Sequence, residues 1–259
     1  MSVTLADAGV VITGGAGGIG AALARKFAGA GARLVLADRD AGVRDVAAAL
    51  GAHAVVGDVA GEAGVADLIA ESRATLGEID VFCANAGIAP MGGVDSPEDV
   101  WANTWDVNVM AHVRAARALL PAWLERGRGH FLATVSAAGL LTALGSAPYS
   151  VTKHGALAFA EWLLVTYKHR GISVQAICPQ AVRTRMLEAA GDSGRLMAAS
   201  ALDPETVADI VHDALGGDQF LILPHPEVAG YYANRATQNE RWIAGMNKLQ
   251  RKLEGAGAS

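Results

Sequence analysis

Residues 9–20 read Gly-Val-Val-Ile-Thr-Gly-Gly-Ala-Gly-Gly-Ile-Gly, a short apolar run followed at once by a glycine-rich loop. The apolar run is typical of a buried β-strand, and the Ala/Leu-rich stretch 18–30 that follows has helical spacing. Glycine is needed where the backbone turns sharply and where a pyrophosphate approaches without a Cβ in between. We therefore predict a phosphate cradle at a helix N-terminus, in which Gly14, Gly18 and Gly20 admit the pyrophosphate.

An acidic residue follows this loop at the distance expected for a dinucleotide site. Asp38 closes the second apolar run, and a carboxylate there can accept hydrogen bonds from an adenosine ribose and would repel a 2′-phosphate. We therefore predict NAD(H) as the cofactor. Arg39 keeps NADP(H) open as the alternative, because a guanidinium can hold a 2′-phosphate. A solvated Arg39, or one lying over the adenine, is the interpretation we favour.

Strand-like and helical patterns alternate along the rest of the chain. Helical spacing occupies the stretches between the strands, which are predicted at 9–13, 33–37, 53–57, 79–84, 129–135, 172–178 and 219–223. The strands are apolar on both faces, as strands covered by helices must be. This alternation predicts an α/β protein with a three-layer Rossmann fold, whose seven-stranded, mostly parallel sheet carries helices on both faces. Ligands are then expected at the carboxyl ends of the strands.

Composition excludes several other classes of protein. The 259 residues carry a net charge of −5, with 52% hydrophobic and 18% charged residues, so the chain can bury a core. The 31 glycines show no three-residue period, and two cysteines cannot build a disulfide scaffold or a four-thiolate zinc site. Mild acidity gives no reason to expect a nucleic-acid partner. We interpret Cys83 and Cys178 as buried small hydrophobes, and no metal-ligand cluster is visible.

The domain organisation is expected to be simple. We predict one Rossmann-type domain over residues 1–254, with a lid loop at 185–202 and a C-terminal extension at 225–254 that contains an amphipathic helix through Leu253. Residues 255–259 are predicted to form a disordered tail. The sequence shows neither a signal-peptide pattern nor an apolar run long enough to span a membrane. A cytoplasmic protein without a membrane partner is therefore expected.

Four polar residues are candidates for catalysis. Tyr149 and Lys153 are spaced i, i+4 and share one helix face, and a nearby ammonium favours the phenolate form of tyrosine. Taken alone, such a pair is more often an exposed helical pair. Ser136 ends the fifth strand and can point into the same pocket. Asn108 lies within the helical stretch 97–127, where asparagine is a poor helix former, although a surface position is the alternative.

Together these residues resemble the short-chain dehydrogenase/reductase family, in its single-domain branch of about 250 residues. The resemblance spans residues 9–184, in the family's order and spacing. The matching pieces are Thr13-Gly14-x-x-x-Gly18-x-Gly20, Asp38, Asp58-Val59, Asn85-Ala86-Gly87, Asn108, Ser136, Tyr149-x-x-x-Lys153, and Pro179 through Thr184.

The resemblance implies a role for each catalytic candidate. Tyr149 would be the acid/base, and Lys153 would bind the nicotinamide ribose and lower the pKa of Tyr149. Ser136 would hydrogen-bond the substrate oxygen, and Asn108 would hold a water that links Lys153 to solvent. Hydride would pass between the nicotinamide and the carbinol or carbonyl carbon of a hydrophobic secondary alcohol or ketone.

The resemblance also implies binding residues. Those assigned to the cofactor are Gly14, Gly17, Gly18, Ile19, Gly20, Asp38, Arg39, Asp58, Val59, Asn85, Ala86, Gly87, Tyr149, Lys153, Pro179, Val182 and Thr184. Those assigned to the substrate are Ser136, Ala138, Leu144, Tyr149, Gln180 and Met186. Gln180 departs from the family, which usually has glycine there; its amide either faces the substrate or points away. Arg183, Arg185 and Arg195 could bind a substrate carboxylate, but we interpret them as surface residues, and His225 as structural.

Alternatives to this function and assembly follow from the same residues. An NADP(H)-dependent ketone reductase and a non-catalytic NAD(H)-binding sensor or scaffold are the competing functions. A sugar-nucleotide epimerase also uses Tyr-x-x-x-Lys, but it needs a C-terminal substrate domain that this length does not hold. Family members are usually homotetramers built on the helices at 97–127 and 148–170. The latter is apolar on more than one face, so a homotetramer or homodimer is expected.

Overall fold

A parallel sheet organises the protein in the computed structural model, which describes residues 3–191 and 197–256. All its strand pairs are parallel, and the strand order is β3-β2-β1-β4-β5-β6-β7. The strands are β1 (Gly9–Thr13), β2 (Arg33–Asp38), β3 (His53–Val56), β4 (Val81–Ala84), β5 (Gly129–Thr134), β6 (Ile172–Ile177) and β7 (Leu221–Ile222). The predicted fold class is therefore confirmed, with strand ends that differ from the prediction by up to two residues.

Helices cover both faces of this sheet. They are α1 (Gly18–Gly29), α2 (Val43–Leu50), α3 (Glu62–Leu76), α4 (Glu98–Trp105), α5 (Ala111–Arg126), α6 (Ala147–Tyr167), α7 (Arg185–Ala189), α8 (Pro204–Ala214), α9 (Glu227–Thr237) and α10 (Asn239–Ala256). Side chains alternate across the strands: Val11 of β1 joins the core under α3, α5 and α6, whereas Val10 and Ile12 join the core under α1, α2 and α8. Each face of the sheet thus has its own apolar core.

The sheet order fixes where a ligand can bind. Strand β1 lies between β2 and β4, so the chain leaves β1 towards one edge and returns to build the other. Ligands of open α/β sheets bind at such a switch point, beyond the carboxyl ends of the strands. The loops after β1, β2, β4, β5 and β6 meet there.

The helix predicted at 97–127 is interrupted, and the prediction of one continuous helix is wrong. A single π-helical turn at Asp106–Met110 separates α4 from α5, and Asn108 lies within it. The amide of Asn108 makes three hydrogen bonds to other segments, described below, and these bonds favour a widened turn. Such π-turns are frequent at functional sites.

The C-terminal segment also differs from the prediction. The single helix expected through Leu253 is two helices, α9 and α10, which separate at Gln238. Helix α10 reaches Ala256, so residues 255 and 256 are helical rather than part of a disordered tail; residues 257–259 lie outside the described residues. The predicted lid loop contains the short helix α7. Its residues 192–196, which include Arg195, are likewise outside the described residues.

Three compositional expectations can be compared with the structure. The thiols of Cys83 and Cys178 are fully buried, as predicted. Within residues 3–191 and 197–256, no helix is both long and apolar enough to cross a membrane. The same residues contain no cluster of three or more His, Cys, Asp or Glu side chains that could hold a metal ion.

Two buried histidines make stability sensitive to acid. Burial lowers the pKa of His112 to about 3, with a smaller contribution from the Lys153 ammonium, and burial lowers that of His130 to about 4. A histidine near pKa 6.5 in the unfolded chain and near 3 when folded stabilises the fold above pH 6.5 and loses this contribution as the pH falls towards 3.

We therefore expect His112→Phe to flatten the acid limb of the stability curve. In urea titrations between pH 6.5 and 4, the free energy of unfolding of the wild type should fall with a slope that includes about 1.4 kcal/mol per pH unit from His112. The variant should lose that component, because Phe packs against Phe131 without taking up a proton. His169→Phe, at an exposed position, is the control. An unchanged slope in His112→Phe would contradict this assignment.

Candidate active site

The glycine turn after β1 forms one end of the site. Gly14 and Gly18 have φ angles of +71° and +52°, a region that side chains with a Cβ rarely adopt. Helix α1 begins at Gly18, and no side chain caps its N-terminus. Its first N–H groups are therefore available to a ligand in the cleft. This geometry fits the pyrophosphate of a dinucleotide.

Glycine is required at position 20 for a different reason from the one predicted. A Cβ on Gly20 would lie 2.1 Å from the carbonyl oxygen of Gly14 and 2.7 Å from Nδ2 of Asn85. Gly20 therefore lets the first turn of α1 pack against the glycine turn and does not face the cleft. Its effect on the cofactor is indirect, through the shape of the turn.

Asp38, at the end of β2, is fixed by the backbone around it. Its Oδ2 accepts a hydrogen bond from the N–H of Ala16 at 3.0 Å, and its Oδ1 accepts one from the N–H of Asp40 at 3.0 Å. A carboxylate has about four acceptor sites, and these two bonds use two of them. The carboxylate thus lines the cleft beside the glycine turn with acceptor capacity for ribose hydroxyls.

Asn85 ties three strand ends together. Its Nδ2 donates to the carbonyl of Thr13 at 2.9 Å, and its Oδ1 accepts from the hydroxyl of Thr134 at 3.0 Å. The hydroxyl of Thr13 in turn accepts from the N–H groups of Asn85 and Ala86, both at 3.0 Å. These bonds hold the loops after β1, β4 and β5 in one arrangement, which forms the floor of the cleft.

Tyr149 and Ser136 form the opposite end of the cleft. Burial raises the pKa of Tyr149, and the nearby hydroxyl of Ser136 opposes that shift. Ser136 has a φ of +154°, an unusual value for serine, and its Oγ accepts from the N–H of Ala138 at 3.1 Å. A strained residue held by its surroundings is typical of functional sites. Both hydroxyls therefore lie at the same end of the cleft.

Lys153 is buried beside Tyr149, one helical turn along α6. Its Nζ lies 5.6 Å from the centre of the Tyr149 ring and donates to the carbonyl oxygen of Thr134 at 2.9 Å. Burial lowers the pKa of Lys153 to about 8. The lowering of the Tyr149 pKa predicted for Lys153 is not found: burial raises that pKa, and the opposing contribution comes from Ser136.

Asn108 is fully buried and connects the loop after β4 with α6. Its Oδ1 accepts from the N–H of Ile88 at 2.9 Å, while its Nδ2 donates to the Ile88 carbonyl at 2.9 Å and to Thr152 Oγ1 at 3.0 Å. A Cβ on Gly87 would lie 3.2 Å from Asn108 Oδ1 and 3.4 Å from Lys153 Nζ. Both polar groups therefore converge on the backbone of Gly87.

One cleft of about 470 Å³ joins these groups. It brings together all six residues predicted for the substrate and most of those predicted for the cofactor. The latter are Gly14, Gly17, Gly18, Ile19, Asp38, Asn85, Ala86, Gly87, Tyr149, Lys153, Pro179, Val182 and Thr184. The remaining walls are mostly apolar and include Met91, Leu141, Leu187 and Met197.

Five of the predicted residues do not line this cleft. Gly20 and Asn108 lie behind it, and Val59 is buried in the core under α3. Arg39 is exposed. Asp58 is also exposed, and its carboxylate accepts from the N–H groups of Ala60 and Gly61, at the start of α3. The cofactor-binding roles predicted for Arg39, Asp58 and Val59 remain predictions.

Sequence reasoning missed three contributions to the site. The backbone carbonyl of Thr134 holds Lys153, and the hydroxyl of Thr152 holds Asn108. Arg185 lines the cleft and pairs with Asp40, whereas Arg183 pairs with Asp203 away from it. A backbone acceptor leaves no signal in a sequence, and the two residues of the Arg185–Asp40 pair are far apart in the chain.

Gln180 lines the cleft, but its amide nitrogen points to the C-terminal segment. Its Nε2 donates to Glu227 Oε1 at 2.7 Å, and its backbone N–H donates to Nδ1 of His225 at 3.1 Å. His225 is buried, which agrees with the structural role predicted for it. The loop after β6 is thus fastened to the start of α9.

Arg235 of α9 fastens a second wall of the cleft. Its Nη1 donates to the carbonyl oxygen of Leu140 and lies 2.8 Å from His154 Nε2. The Nδ1 of His154 lies 2.8 Å from the carbonyl of Ser150, which makes Nε2 the acceptor for Arg235. Leu141, the next residue after Leu140, lines the cleft. The C-terminal extension therefore shapes the apolar end.

We expect Arg235→Ala to weaken substrate binding without affecting the nucleotide. Losing a charge-assisted hydrogen bond to a carbonyl costs about 1.5–3 kcal/mol when the acceptor stays buried, so KM for the substrate should rise roughly tenfold or more. Steady-state kinetics with varied substrate measure this effect, with nucleotide titrations alongside. Arg241→Ala, at an exposed position on α10, is the control. An equal rise in the substrate KM and the nucleotide Kd would instead show that the variant disturbs the whole cleft.

A cleft that joins a phosphate cradle to a buried Tyr–Lys pair is typical of a nucleotide-dependent oxidoreductase with a Rossmann fold. The short chain dehydrogenase family model matches residues 8–194, more than half of the chain. The protein therefore belongs to the short-chain dehydrogenase family of oxidoreductases.

Individual relatives agree with this membership. The chain is 36% identical over 227 residues to a 1-deoxy-11-beta-hydroxypentalenate dehydrogenase of Streptomyces exfoliatus, covering 84% of this chain and 82% of that one. It is 31% identical to epidermal retinol dehydrogenase 2 of Mus musculus, covering 83% and 73%. A short-chain dehydrogenase/reductase from Burkholderia phymatum, solved in complex with NAD, superposes with a TM-score of 0.84 at 26% identity, covering 92% and 96%.

Proposed function

We propose that this protein is an NAD(H)-dependent oxidoreductase that passes hydride between the nicotinamide and the carbinol or carbonyl carbon of a hydrophobic secondary alcohol or ketone. One observation carries the proposal: the Ser136 and Tyr149 hydroxyls share one end of a cleft whose other end holds the glycine turn and Asp38. The cleft thus joins a nucleotide-binding turn to a pair of hydroxyls, as a dinucleotide with a substrate beside its nicotinamide requires.

Each catalytic residue has a distinct task in this proposal. Tyr149 Oη gives a proton to the substrate oxygen during ketone reduction and takes it back during alcohol oxidation. Ser136 Oγ holds the same oxygen in line with Tyr149. Lys153 keeps an ammonium beside the phenol and would hold the ribose of a bound nucleotide. Asn108 would hold a water that links Lys153 to solvent and returns protons to it.

The bound nicotinamide supplies the hydride donor or acceptor. The chain's own contribution is to orient the substrate and to exclude water from the reacting centre. Apolar walls from Leu141, Leu144 and Met186 serve this exclusion.

The choice of NAD(H) over NADP(H) rests on Asp38. Its carboxylate is held in place by the N–H groups of Ala16 and Asp40 and cannot turn away from a 2′-phosphate without breaking these bonds. A fixed negative charge at this point disfavours NADP(H). The Burkholderia phymatum neighbour contains NAD and another neighbour of 26% identity contains NADP, so Asp38 carries this choice.

The substrate class rests on the apolar end of the cleft and on the relatives. Met91, Leu141, Leu144, Met186 and Met197 offer few polar partners to a substrate. The relatives described above are named as dehydrogenases of a hydroxypentalenate and of retinol. An uncharged, apolar carbinol or ketone matches both observations.

A panel of secondary alcohols and ketones, followed at 340 nm with NAD(H) and NADP(H) side by side, tests the proposal. We expect turnover with apolar members of the panel and a preference for NAD(H) of about tenfold or more, from a repulsion above roughly 1.4 kcal/mol. Turnover with NADP(H) alone would overturn the cofactor assignment. Absence of turnover in every combination, despite NADH binding, would favour the non-catalytic sensor.

We further propose that the protein is cytoplasmic and works as a homotetramer or homodimer. Helix α6 carries Val151, Trp162 and Val165 at 50%, 54% and 75% exposure, a large apolar surface for a helix in contact with water. Light scattering at micromolar concentration tests the assembly, and a monomer would contradict it.

A further inference from the structure

Arg185 lies against the glycine turn, from the opposite side of the cleft. It is the first residue of α7, and a Cβ on Gly17 would lie 3.3 Å from its Nη2 and 3.9 Å from its Nε. Nε and Nη2 form the side edge of a guanidinium, the pair of donors that matches two oxygens of a phosphate. This edge therefore faces the turn that precedes α1.

Asp40 holds the Arg185 guanidinium in this orientation by binding its third nitrogen, Nη1. Nη1 of Arg185 donates to Asp40 Oδ2 at 2.9 Å, while Asp40 Oδ1 accepts from the N–H of Gly42 at 2.9 Å. The N–H of Asp40 is bonded to Asp38, which also anchors Ala16. The carboxylate of Asp40 is thus fixed by the loop after β2, and it leaves the Nε–Nη2 edge directed at Gly17.

The charged side chains that line the cleft indicate what the Nε–Nη2 edge of Arg185 can bind. Among the described residues that line the cleft, the charged side chains are Asp38, Lys153 and Arg185. Lys153 is committed to Thr134 and to the Tyr149 end. A dinucleotide brings two negative charges to the glycine turn, which contains no Lys or Arg. Arg185 is the cation placed beside them.

We propose that Arg185 is a cofactor-binding residue that donates two hydrogen bonds from Nε and Nη2 to the pyrophosphate, and that Asp40 is its positioning residue. The proposal rests on the proposed function, because it needs a dinucleotide in the cleft. It also fastens α7 to the bound cofactor, so that α7 and the nucleotide stabilise each other.

NADH fluorescence titrations of four single variants and one double variant test the proposal. Arg185→Gln should raise the Kd for NADH about tenfold, the effect of losing charge-assisted hydrogen bonds, and should reduce its salt dependence. Arg185→Lys keeps the charge but not the two-pronged edge, and should give an intermediate rise of about threefold. Asp40→Asn should raise Kd about threefold, and this effect should vanish when Arg185→Gln is already present. Arg183→Gln, which breaks the neighbouring pair with Asp203 outside the cleft, is the matched control and should leave Kd unchanged.

Adenosine, which has no phosphate, separates binding from disturbance of the fold. Its affinity should be the same in the wild type and in Arg185→Gln. Equal losses for NADH and adenosine would overturn the proposal, as would an Arg185→Gln variant that matches Arg183→Gln. A wild-type protein that binds no NADH would instead show that the proposed function itself has failed, so the two failures are distinguishable.

Discussion

Tyr149→Phe should reduce kcat about a thousandfold while the Kd for NADH changes by less than about twofold. In the proposed mechanism the phenol donates or accepts the transferred proton, and a general acid/base contributes roughly 10²–10⁴-fold to rate. Phenylalanine keeps the ring beside Lys153 and the packing of α6, so nucleotide binding has no reason to change. Turnover at 340 nm and NADH fluorescence measure the two quantities on the same preparation.

Tyr167→Phe is the matched control, because Tyr167 is the last residue of α6 and does not line the cleft. It should retain wild-type kcat. Equal rates for Tyr149→Phe and Tyr167→Phe would remove Tyr149 from the chemistry. A Tyr149→Phe variant that also loses NADH would instead place the phenol among the binding residues.

Gly20→Ala should lower the free energy of unfolding by about 2–3 kcal/mol and abolish tight nucleotide binding. The new methyl group would approach the Gly14 carbonyl oxygen to 2.1 Å, and overpacking of this kind costs about 1–3 kcal/mol. Because the obstructing atom belongs to the backbone, the glycine turn must move. Urea unfolding and NADH titration measure the two effects.

Gly29→Ala, in the same helix, is the control. No atom lies within 4 Å of a Cβ built on Gly29, so the change should stabilise α1 by about 0.5 kcal/mol, the usual gain of alanine over glycine in a helix. Equal stability of the two variants would contradict the close packing of Gly20 on Gly14.

Much of the fold and the centre of the site can be predicted from local patterns. The glycine turn, Asp38 and the Tyr149–Lys153 spacing each depend on residues close in sequence or on one strand end, and the cleft contains all of them. The parallel sheet with helices on both faces follows from the alternation of strand and helix patterns, whereas the order of its strands is known only from the structure. Even so, the role predicted for Gly20 is wrong. A glycine motif does not distinguish a glycine that faces a ligand from one that packs against the backbone.

The remaining features depend on contacts between distant segments. The π-turn around Asn108 reflects bonds to Ile88 and Thr152, and periodicity carries no record of them. The orientation of Gln180 is decided by Glu227, 47 residues away, and that of Arg185 by Asp40, 145 residues away. Such pairs are visible only once the sheet has placed the loops beside each other.

Isotope transfer tests the central claim, direct hydride transfer at the Tyr149 end of the cleft, most directly. A ketone that the protein reduces should be incubated with NADH carrying deuterium at C4 of the nicotinamide, with each face of the ring labelled in turn. We expect one of the two labelled forms to place a single deuterium on the carbinol carbon of the product, in the wild type and in Arg183→Gln alike. A product without deuterium from either form would contradict the account.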